Sequence, residues 1–145
     1  MAETTPPDPT PAKLAEDISQ QVREICAKGY KLFDAGDLPQ AIRQFYSAWT
    51  KLPKPQTQWQ EAGWVLTALG DAYFAKGDYK NGKEALLSAL HCPEAKGNPI
   101  IHLRLGQCLY ELGELPAAAE QFSLVHDQAG DNLFASEDPK YRAMV

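Results

Sequence analysis

Histidine and cysteine side chains are the groups in this 145-residue sequence that could bind a metal ion. A zinc or other transition-metal site usually needs two ligands one helical turn apart or a CxxC pair. Neither spacing occurs, and on one helix His102 and Cys108 would point about 120° apart. The sequence therefore predicts no metal site at the five candidate residues, which are His91, Cys92, His102, Cys108 and His126.

Motifs for nucleophilic or phosphate chemistry are also missing from the sequence. It contains no Gly-rich phosphate loop and no GxSxG motif. No nucleophile signature surrounds any of the three cysteines. The carboxylates of Glu111 and Glu114 fall at predicted helix ends, where capping explains them. We therefore expect a protein that is not an enzyme and that uses no small-molecule cofactor.

Composition limits the classes of partner. The net charge is −5 and the lysines and arginines are scattered singly, which argues against nucleic acid because phosphates require a basic patch. No apolar run approaches the roughly 20 residues of a membrane helix, so we expect no membrane insertion. Three cysteines without a CxxC pair, and an N-terminus without a signal-peptide pattern, favour reduced thiols in the cytoplasm.

Three segments of the chain carry the same turn signal. Residues 33–38, 74–79 and 111–115 each combine an apolar helix end, a glycine, an acidic residue and a new apolar start. Glycine supplies the left-handed conformation that ends a helix. The acidic residue then meets the unpaired N–H groups of the next helix. Each segment therefore predicts a helix–turn–helix.

Small and bulky residues recur at fixed distances from these turn glycines. A glycine lies seven positions before each turn, and an Ala or Gly lies five positions after it. A bulky residue follows four positions later, and a smaller apolar residue three beyond that. The three sets are Gly29, Ala41, Phe45 and Ala48; Gly70, Gly82, Leu86 and Ala89; and Gly106, Ala118, Phe122 and Val125. This pattern resembles the tetratricopeptide repeat (TPR), a helix pair of about 34 residues.

The resemblance implies an all-α fold, a right-handed superhelix of three TPR helix–turn–helix repeats at residues 22–55, 63–96 and 99–130. The TPR domain spans residues 11–130, and its first helix is long, from about Pro11 to Asp34, with Thr10 as its N-cap. Residues 1–10 are proline-rich and predict a disordered tail. Residues 131–145 form a C-terminal capping segment, in which four apolar residues cover the open end: Leu133, Phe134, Tyr141 and Met144.

The family's concave face, lined by the first helix of each repeat, implies the partner-binding residues. We expect an apolar or amphipathic peptide to bind there; alternatively, the long first helix or the C-terminal segment covers part of this face. The implied residues are Arg23, Cys26, Tyr30 and Phe33; Trp64, Thr67, Asp71 and Phe74; and Ile100, Leu103, Gln107 and Tyr110. Repeats that clamp the C-terminal carboxylate of chaperones use Lys and Asn there, and only Arg104 matches, which disfavours that role.

Two bacterial groups are similar in size and character. Residues 131–141 resemble the tail of small TPR proteins found beside secreted toxins, which implies an adaptor or immunity-type protein. Three-repeat acidic chains with an N-terminal extension are also similar to type III secretion chaperones, which hold an unfolded translocator segment. The sequence alone favours the adaptor or immunity type, with the secretion chaperone as the alternative. A scaffold subunit that binds through its convex face is a third hypothesis.

Overall fold

The computed structural model describes residues 13–145, which form an all-α structure, as predicted. No strand occurs in this part of the chain, and none of its helices is both long and apolar enough to cross a membrane. Its seven α-helices are α1 (Glu16–Asp34), α2 (Leu38–Lys51), α3 (Gln60–Lys76), α4 (Tyr79–Ala89), α5 (Pro99–Glu111), α6 (Leu115–Ala129) and α7 (Pro139–Arg142). Short 3-10 turns lie at Gln56–Gln58, Ala95–Gly97 and Asn132–Phe134.

The first six helices form three antiparallel pairs that stack in chain order. Helix α1 packs on α2, α3 on α4 and α5 on α6. Neighbouring pairs meet through α2 with α3 and through α4 with α5. Helix α3 also contacts α1 and α5, so α1, α3 and α5 lie side by side and form one surface.

The three tight turns are alike in backbone conformation. Gly36, Gly77 and Gly113 have φ values of 84°, 83° and 81°, a region that side chains with a Cβ atom rarely adopt. In each turn the N–H after the glycine donates to the carbonyl five residues earlier, at 2.9 Å. This is the Schellman hydrogen bond that ends a helix. The glycine signal in the sequence therefore located all three turns.

The acidic residues after these glycines differ in what they do. The side chains of Asp37 and Asp78 each accept a hydrogen bond from the backbone N–H three residues later, as predicted for N-caps. The Glu114 side chain caps nothing; it pairs instead with Lys83 of α4, with 2.8 Å between Oε2 and Nζ. The extra methylene of glutamate makes it a poor N-cap, and the cation lies within its reach.

A glycine of the first helix meets a bulky side chain of the second in every pair. In the second pair, a Cβ atom on Gly70 would lie 2.5 Å from Cγ of Leu86, which is closer than van der Waals contact allows. The three contacts are Gly29 with Phe45, Gly70 with Leu86 and Gly106 with Phe122. All three bulky side chains are fully buried. The spacing found in the sequence thus marks the closest approach of paired helices.

Gly82 has a separate reason for lacking a side chain. Glycine in a helix costs up to about 1 kcal/mol relative to alanine. A Cβ atom at this position would lie 2.9 Å from Sγ of Cys108 in α5. Gly82 therefore allows neighbouring pairs to approach each other, where alanine would crowd the thiol.

The prediction that the first helix begins near Pro11 is wrong, because α1 begins at Glu16. Ala15 is extended, and its carbonyl accepts the N–H of Ser19. Glu16 and Asp17 place negative charge at the positive end of the helix dipole and favour the later start. The proposed N-cap Thr10 and the tail at residues 1–10 lie outside the described residues.

The chain turns back over the third pair after Gly130, which ends α6 with a φ of 67°. Phe134 and Tyr141 of the C-terminal segment (residues 131–145) are buried, and both rings contact Phe122. Asp138 caps α7 by accepting the N–H of Lys140. The segment therefore packs against the last helix pair.

We predict that Gly70→Leu destabilises the fold by about 1–3 kcal/mol, because the new side chain must displace the fully buried Leu86. The gain in helix propensity, about 1 kcal/mol, works against this loss. Urea unfolding followed by circular dichroism measures the difference.

The matched control is Ala75→Leu, which adds a leucine at an exposed position of the same helix. Its stability should stay within about 0.5 kcal/mol of wild type. Equal stability of the two variants would show that Gly70 is not at a close contact.

Candidate functional site

The twelve residues implied as partner-binding lie along α1, α3 and α5, on the surface that these helices share. We call this surface the inner face. A hydrogen bond from the Tyr30 hydroxyl to Asp71, at 3.3 Å, and one from Arg104 Nε to Asp71, at 2.9 Å, align the three helices. Trp64 lies two helical turns before Asp71 and Ile100 lies one turn before Arg104. The inner face can therefore be divided at this cross-link.

The half towards the helix N-termini is open. Trp64 is 45% exposed, and Ile100 and Arg23 are exposed as well. Thr67 and Cys26 are half-buried, and the Thr67 hydroxyl donates to the Gly63 carbonyl of its own helix. This open half thus presents an aromatic and aliphatic surface, and most of its polar groups already make hydrogen bonds within the protein.

A second polar link joins α1 to α3 at the edge of the open half. The Ser19 hydroxyl donates to the buried carboxylate of Glu61 at 2.7 Å. Arg23 donates to the same hydroxyl at 3.0 Å and pairs with Glu16 at 3.2 Å. Arg23 is thereby held at the rim, where it can contact a ligand without entering the apolar part.

Arg104 is the centre of a charge cluster on the inner face. Its Nε donates to Asp71 and its Nη1 donates to the Gln107 side-chain oxygen at 2.8 Å. Nη1 also pairs with Glu137 of the C-terminal segment. The three charged side chains are between 17% and 26% exposed. Two carboxylates thus share one guanidinium in a poorly solvated place.

Burial dominates the electrostatics of this cluster. It raises the pKa of the Asp71 carboxyl above its ordinary value, although the charge and hydrogen bond of Arg104 partly offset the effect. Burial also raises the pKa of the Tyr30 hydroxyl, and the neighbouring Asp71 charge adds to it. Tyr30 therefore remains protonated and keeps donating its hydrogen bond at neutral pH.

The other half of the inner face is covered by the C-terminal segment. The Tyr141 ring packs edge-on against Tyr110, with 5.3 Å between centroids, and against Phe74, with 6.5 Å. The Tyr141 hydroxyl donates to Glu111 at 2.8 Å, and Lys140 pairs with the same carboxylate at 2.7 Å. This covered half is a site whose aromatic and charged groups already have partners.

The structure therefore separates the implied partner-binding residues into accessible and covered ones. Leu103 and Gln107 are 2% and 0% exposed, and the Gln107 side chain donates a hydrogen bond to Glu137 of the C-terminal segment. Phe33, Phe74 and Tyr110 are half-buried. As the chain is folded here, Leu103 and Gln107 are buried, which agrees with the alternative that the C-terminal segment covers part of this face.

Sequence reasoning left Glu137 and Tyr141 out of the site. Both belong to the segment that was predicted to cap the fold. Arg104 could have indicated them, because it lies one turn after Ile100 on the same side of α5. A partly buried arginine needs a carboxylate partner. A cation on an implied binding stripe predicts an acidic partner from somewhere in the chain.

The thiols and histidines form no reactive site. Burial raises the pKa of Cys26 and Cys92 to about 11 and that of Cys108 to about 12. The ring of His102 is held between the Lys96 carbonyl, at 3.0 Å, and the Gln121 side chain, at 2.7 Å. Between residues 13 and 145 no group of three or more His, Cys, Asp or Glu residues could hold a metal ion.

We predict slow alkylation of all three thiols in the native protein near neutral pH. At a pKa of about 11 the thiolate fraction is roughly a hundredfold below that of an ordinary cysteine. Iodoacetamide labelling followed by mass spectrometry measures the rate, with urea-unfolded protein as the control. Rapid native labelling of any one thiol would contradict the raised pKa.

We predict that Arg104→Leu lowers stability by about 1–3 kcal/mol at neutral pH, because two carboxylates lose their shared partner. A carboxyl group whose pKa is higher in the folded than in the unfolded state destabilises the fold when it is ionised. This destabilisation disappears as the pH falls through the folded-state pKa and the group becomes protonated. The stability lost in Arg104→Leu should therefore be larger at about pH 7 than at about pH 4.5. Urea unfolding at both pH values measures it.

The control for this variant is Arg142→Leu, which breaks an exposed ion pair with Asp131. Exposed pairs contribute about 0–1 kcal/mol, so this loss should be small. An equal loss in both variants, unchanged by acid, would mean that the cluster is fully solvated.

Comparison with known proteins agrees with this architecture. Residues 67–132 match the family model of the tetratricopeptide repeat. The type III secretion chaperone SycD of Yersinia enterocolitica, solved with a peptide of the translocator YopD, is similar with a TM-score of 0.69 and 16% identity, over 90% of this chain and 93% of that one.

PcrH from Pseudomonas aeruginosa gives a TM-score of 0.64 and 18% identity over 91% of this chain and 86% of its own. PcrH in complex with the chaperone-binding region of PopD gives 0.63 and 18%, over 90% and 85%. No protein of curated function matches the sequence significantly. The family match confirms the predicted tetratricopeptide repeat over residues 67–132, and the structural likenesses agree with the all-α fold of helix pairs.

Proposed function

We propose that this chain is a non-catalytic binding protein that holds a segment of a partner polypeptide on the open half of its inner face. The observation that carries the proposal is the exposure of Trp64. Its helix, α3, contacts four other helices, and yet this large aromatic side chain is 45% exposed. Exposed tryptophans surrounded by apolar groups are typical central anchors of protein interfaces.

The neighbouring chemistry favours an apolar partner segment. Tyr30 and Ile100 are also exposed, and they belong to α1 and α5, the helices that flank α3 on the inner face. The charges of Asp71 and Arg104 are paired with each other, so a ligand meets little free charge there. Arg23 at the rim adds one cation, which suits an acidic residue at the edge of the bound segment.

The structural likenesses favour the secretion-chaperone hypothesis over the adaptor or immunity hypothesis. SycD was solved with a translocator peptide and PcrH with the chaperone-binding region of PopD. A protein of this fold that keeps an apolar segment of its partner from aggregating would work where that partner is synthesised. We accordingly place it in the bacterial cytoplasm, where its three unpaired thiols stay reduced.

A second candidate is binding through the opposite, outer face. A cleft of about 220 Å³ lies there between α2 and α4. Tyr46, Trp49 and Tyr73 line it, and Tyr46 is 46% exposed. This cleft could accommodate one large side chain of a folded partner, as the scaffold hypothesis requires.

We predict that Trp64→Ala weakens partner binding by about 2 kcal/mol or more, roughly 30-fold in Kd, and leaves the fold intact. Immobilised wild-type and variant chains are exposed to the same lysate of the native host. Quantitative mass spectrometry identifies proteins retained by wild type and lost by the variant. Titration with the retained protein then gives Kd.

The matched control is Tyr46→Ala, which removes an equally exposed aromatic side chain from the outer face. It should retain the same proteins as wild type. If Tyr46→Ala loses them and Trp64→Ala does not, the outer cleft is the binding site and the inner-face proposal is wrong.

A further inference from the structure

The covered half of the inner face holds a segment of the chain itself in the manner of a ligand. The groups that receive it, Phe74, Arg104 and Tyr110, belong to the same stripes of α3 and α5 as the open Trp64 and Ile100. A partner segment lying along the inner face from Trp64 therefore meets the C-terminal segment within two helical turns. The partner segment can extend onto the covered half only if the C-terminal segment leaves it.

We propose that a partner segment replaces residues 137–145 on the covered half, and that it carries an acidic and an aromatic residue four positions apart. This inference rests on the proposed function and specifies the chemistry of the ligand. Glu137 and Tyr141 have this spacing, and they supply the charge and the ring that the site binds in the folded chain.

The charge of the cluster makes Glu137 exchangeable. Asp71 by itself neutralises Arg104, so Glu137 is a second carboxylate on one cation. A carboxylate from a partner can take its place on Nη1 and accept from Gln107 without changing the net charge. Asp71 remains paired with Arg104 throughout, so no buried cation is left alone during the exchange.

The aromatic contact is exchangeable for a similar reason. Tyr141 is held by ring contacts with Tyr110, Phe74 and Phe122. Its hydroxyl also donates a hydrogen bond to the partly exposed Glu111. An aromatic side chain of a partner can make the same contacts. Serine, threonine or charged residues could not fill this place, because it is formed by the faces and edges of aromatic rings.

The first part of the C-terminal segment can stay in place while the second part leaves. Phe134 is anchored on Phe122 of α6, with 5.8 Å between ring centroids. Ala135 and Ser136 follow it and are exposed, so they can change conformation without loss of core packing. Exchange therefore involves residues 137–145 while the cap formed by Phe134 is preserved.

The test uses a synthetic peptide of residues 135–145 as the probe. The acceptor is the full chain carrying Glu137→Gln and Tyr141→Ala, in which the native segment no longer fits its site. We call this double variant the vacated chain. This acceptor should bind the fluorescent peptide at least about tenfold more tightly than wild type, whose own segment competes at a high effective concentration. Peptides with the same two substitutions, singly, should bind about tenfold more weakly than the native peptide.

Two further acceptors separate this site from the open half. Adding Arg104→Leu to the vacated chain should abolish peptide binding, whereas adding Trp64→Ala should leave it unchanged. If the folded, vacated chain does not bind the peptide, the inference is wrong, and the proposed function still stands provided that Trp64→Ala loses the partner. If Trp64→Ala retains the partner, the proposed function fails whatever the peptide does.

Wild-type protein provides a second measurement in case the vacated chain does not fold. With excess ¹³C-labelled peptide, hydrogen exchange at residues 139–145 should speed up at least about tenfold, while exchange in α1 to α6 stays the same. Unchanged exchange at a saturating peptide concentration would overturn the proposal. Concentration-dependent dimerisation of wild type through exchanged segments would also overturn it, because the occupant would then be a second copy of this chain.

Discussion

The close approach of two helices at a glycine is the contact on which the rest of this structure depends. In each pair a glycine of the first helix receives a bulky side chain of the second, as Gly70 receives Leu86. Because the same contact occurs three times, the pairs are alike and stack in one direction. That stacking places α1, α3 and α5 side by side and creates the inner face.

The central position of α3 explains why the candidate site lies where it does. Four helices cover this helix and leave one stripe free. Asp71 on that stripe reaches both neighbours through Tyr30 and Arg104, so the same stripe aligns the helices and presents Trp64. Burial raises the pKa of the Asp71 carboxyl, and the charge of Arg104 partly offsets this effect.

The end of the repeat array links stability to binding. A stack of helix pairs leaves the last pair without a neighbour, and its apolar side needs a cover. Phe134 and Tyr141 provide this cover over Phe122. Since Tyr141 also reaches Phe74 and Tyr110, the cover extends onto the inner face. In the exchange that we propose, a residue that completes the fold competes with a ligand for the same surface.

Local rules made much of this architecture predictable from the sequence. Glycine conformation and aspartate capping act within a few residues, so Gly36, Gly77, Asp37 and Asp78 marked the turns. The fixed spacing of glycines and bulky residues predicted the helix contacts, and the resemblance to the tetratricopeptide repeat implied Trp64 as a residue of the inner face. These features depend on neighbours in sequence or on a repeat that the sequence displays.

The tertiary structure decided the features that depend on distant residues. Glu114 pairs with Lys83, which is 31 residues away, so its spacing from the turn glycine wrongly indicated a cap. The family's groove positions gave Gln107 and Ile100 the same role, but Gln107 is buried and bonded to Glu137, whereas Ile100 is exposed. Exposure is decided by which part of the chain packs over a stripe, and a stripe's own spacing carries no information about that.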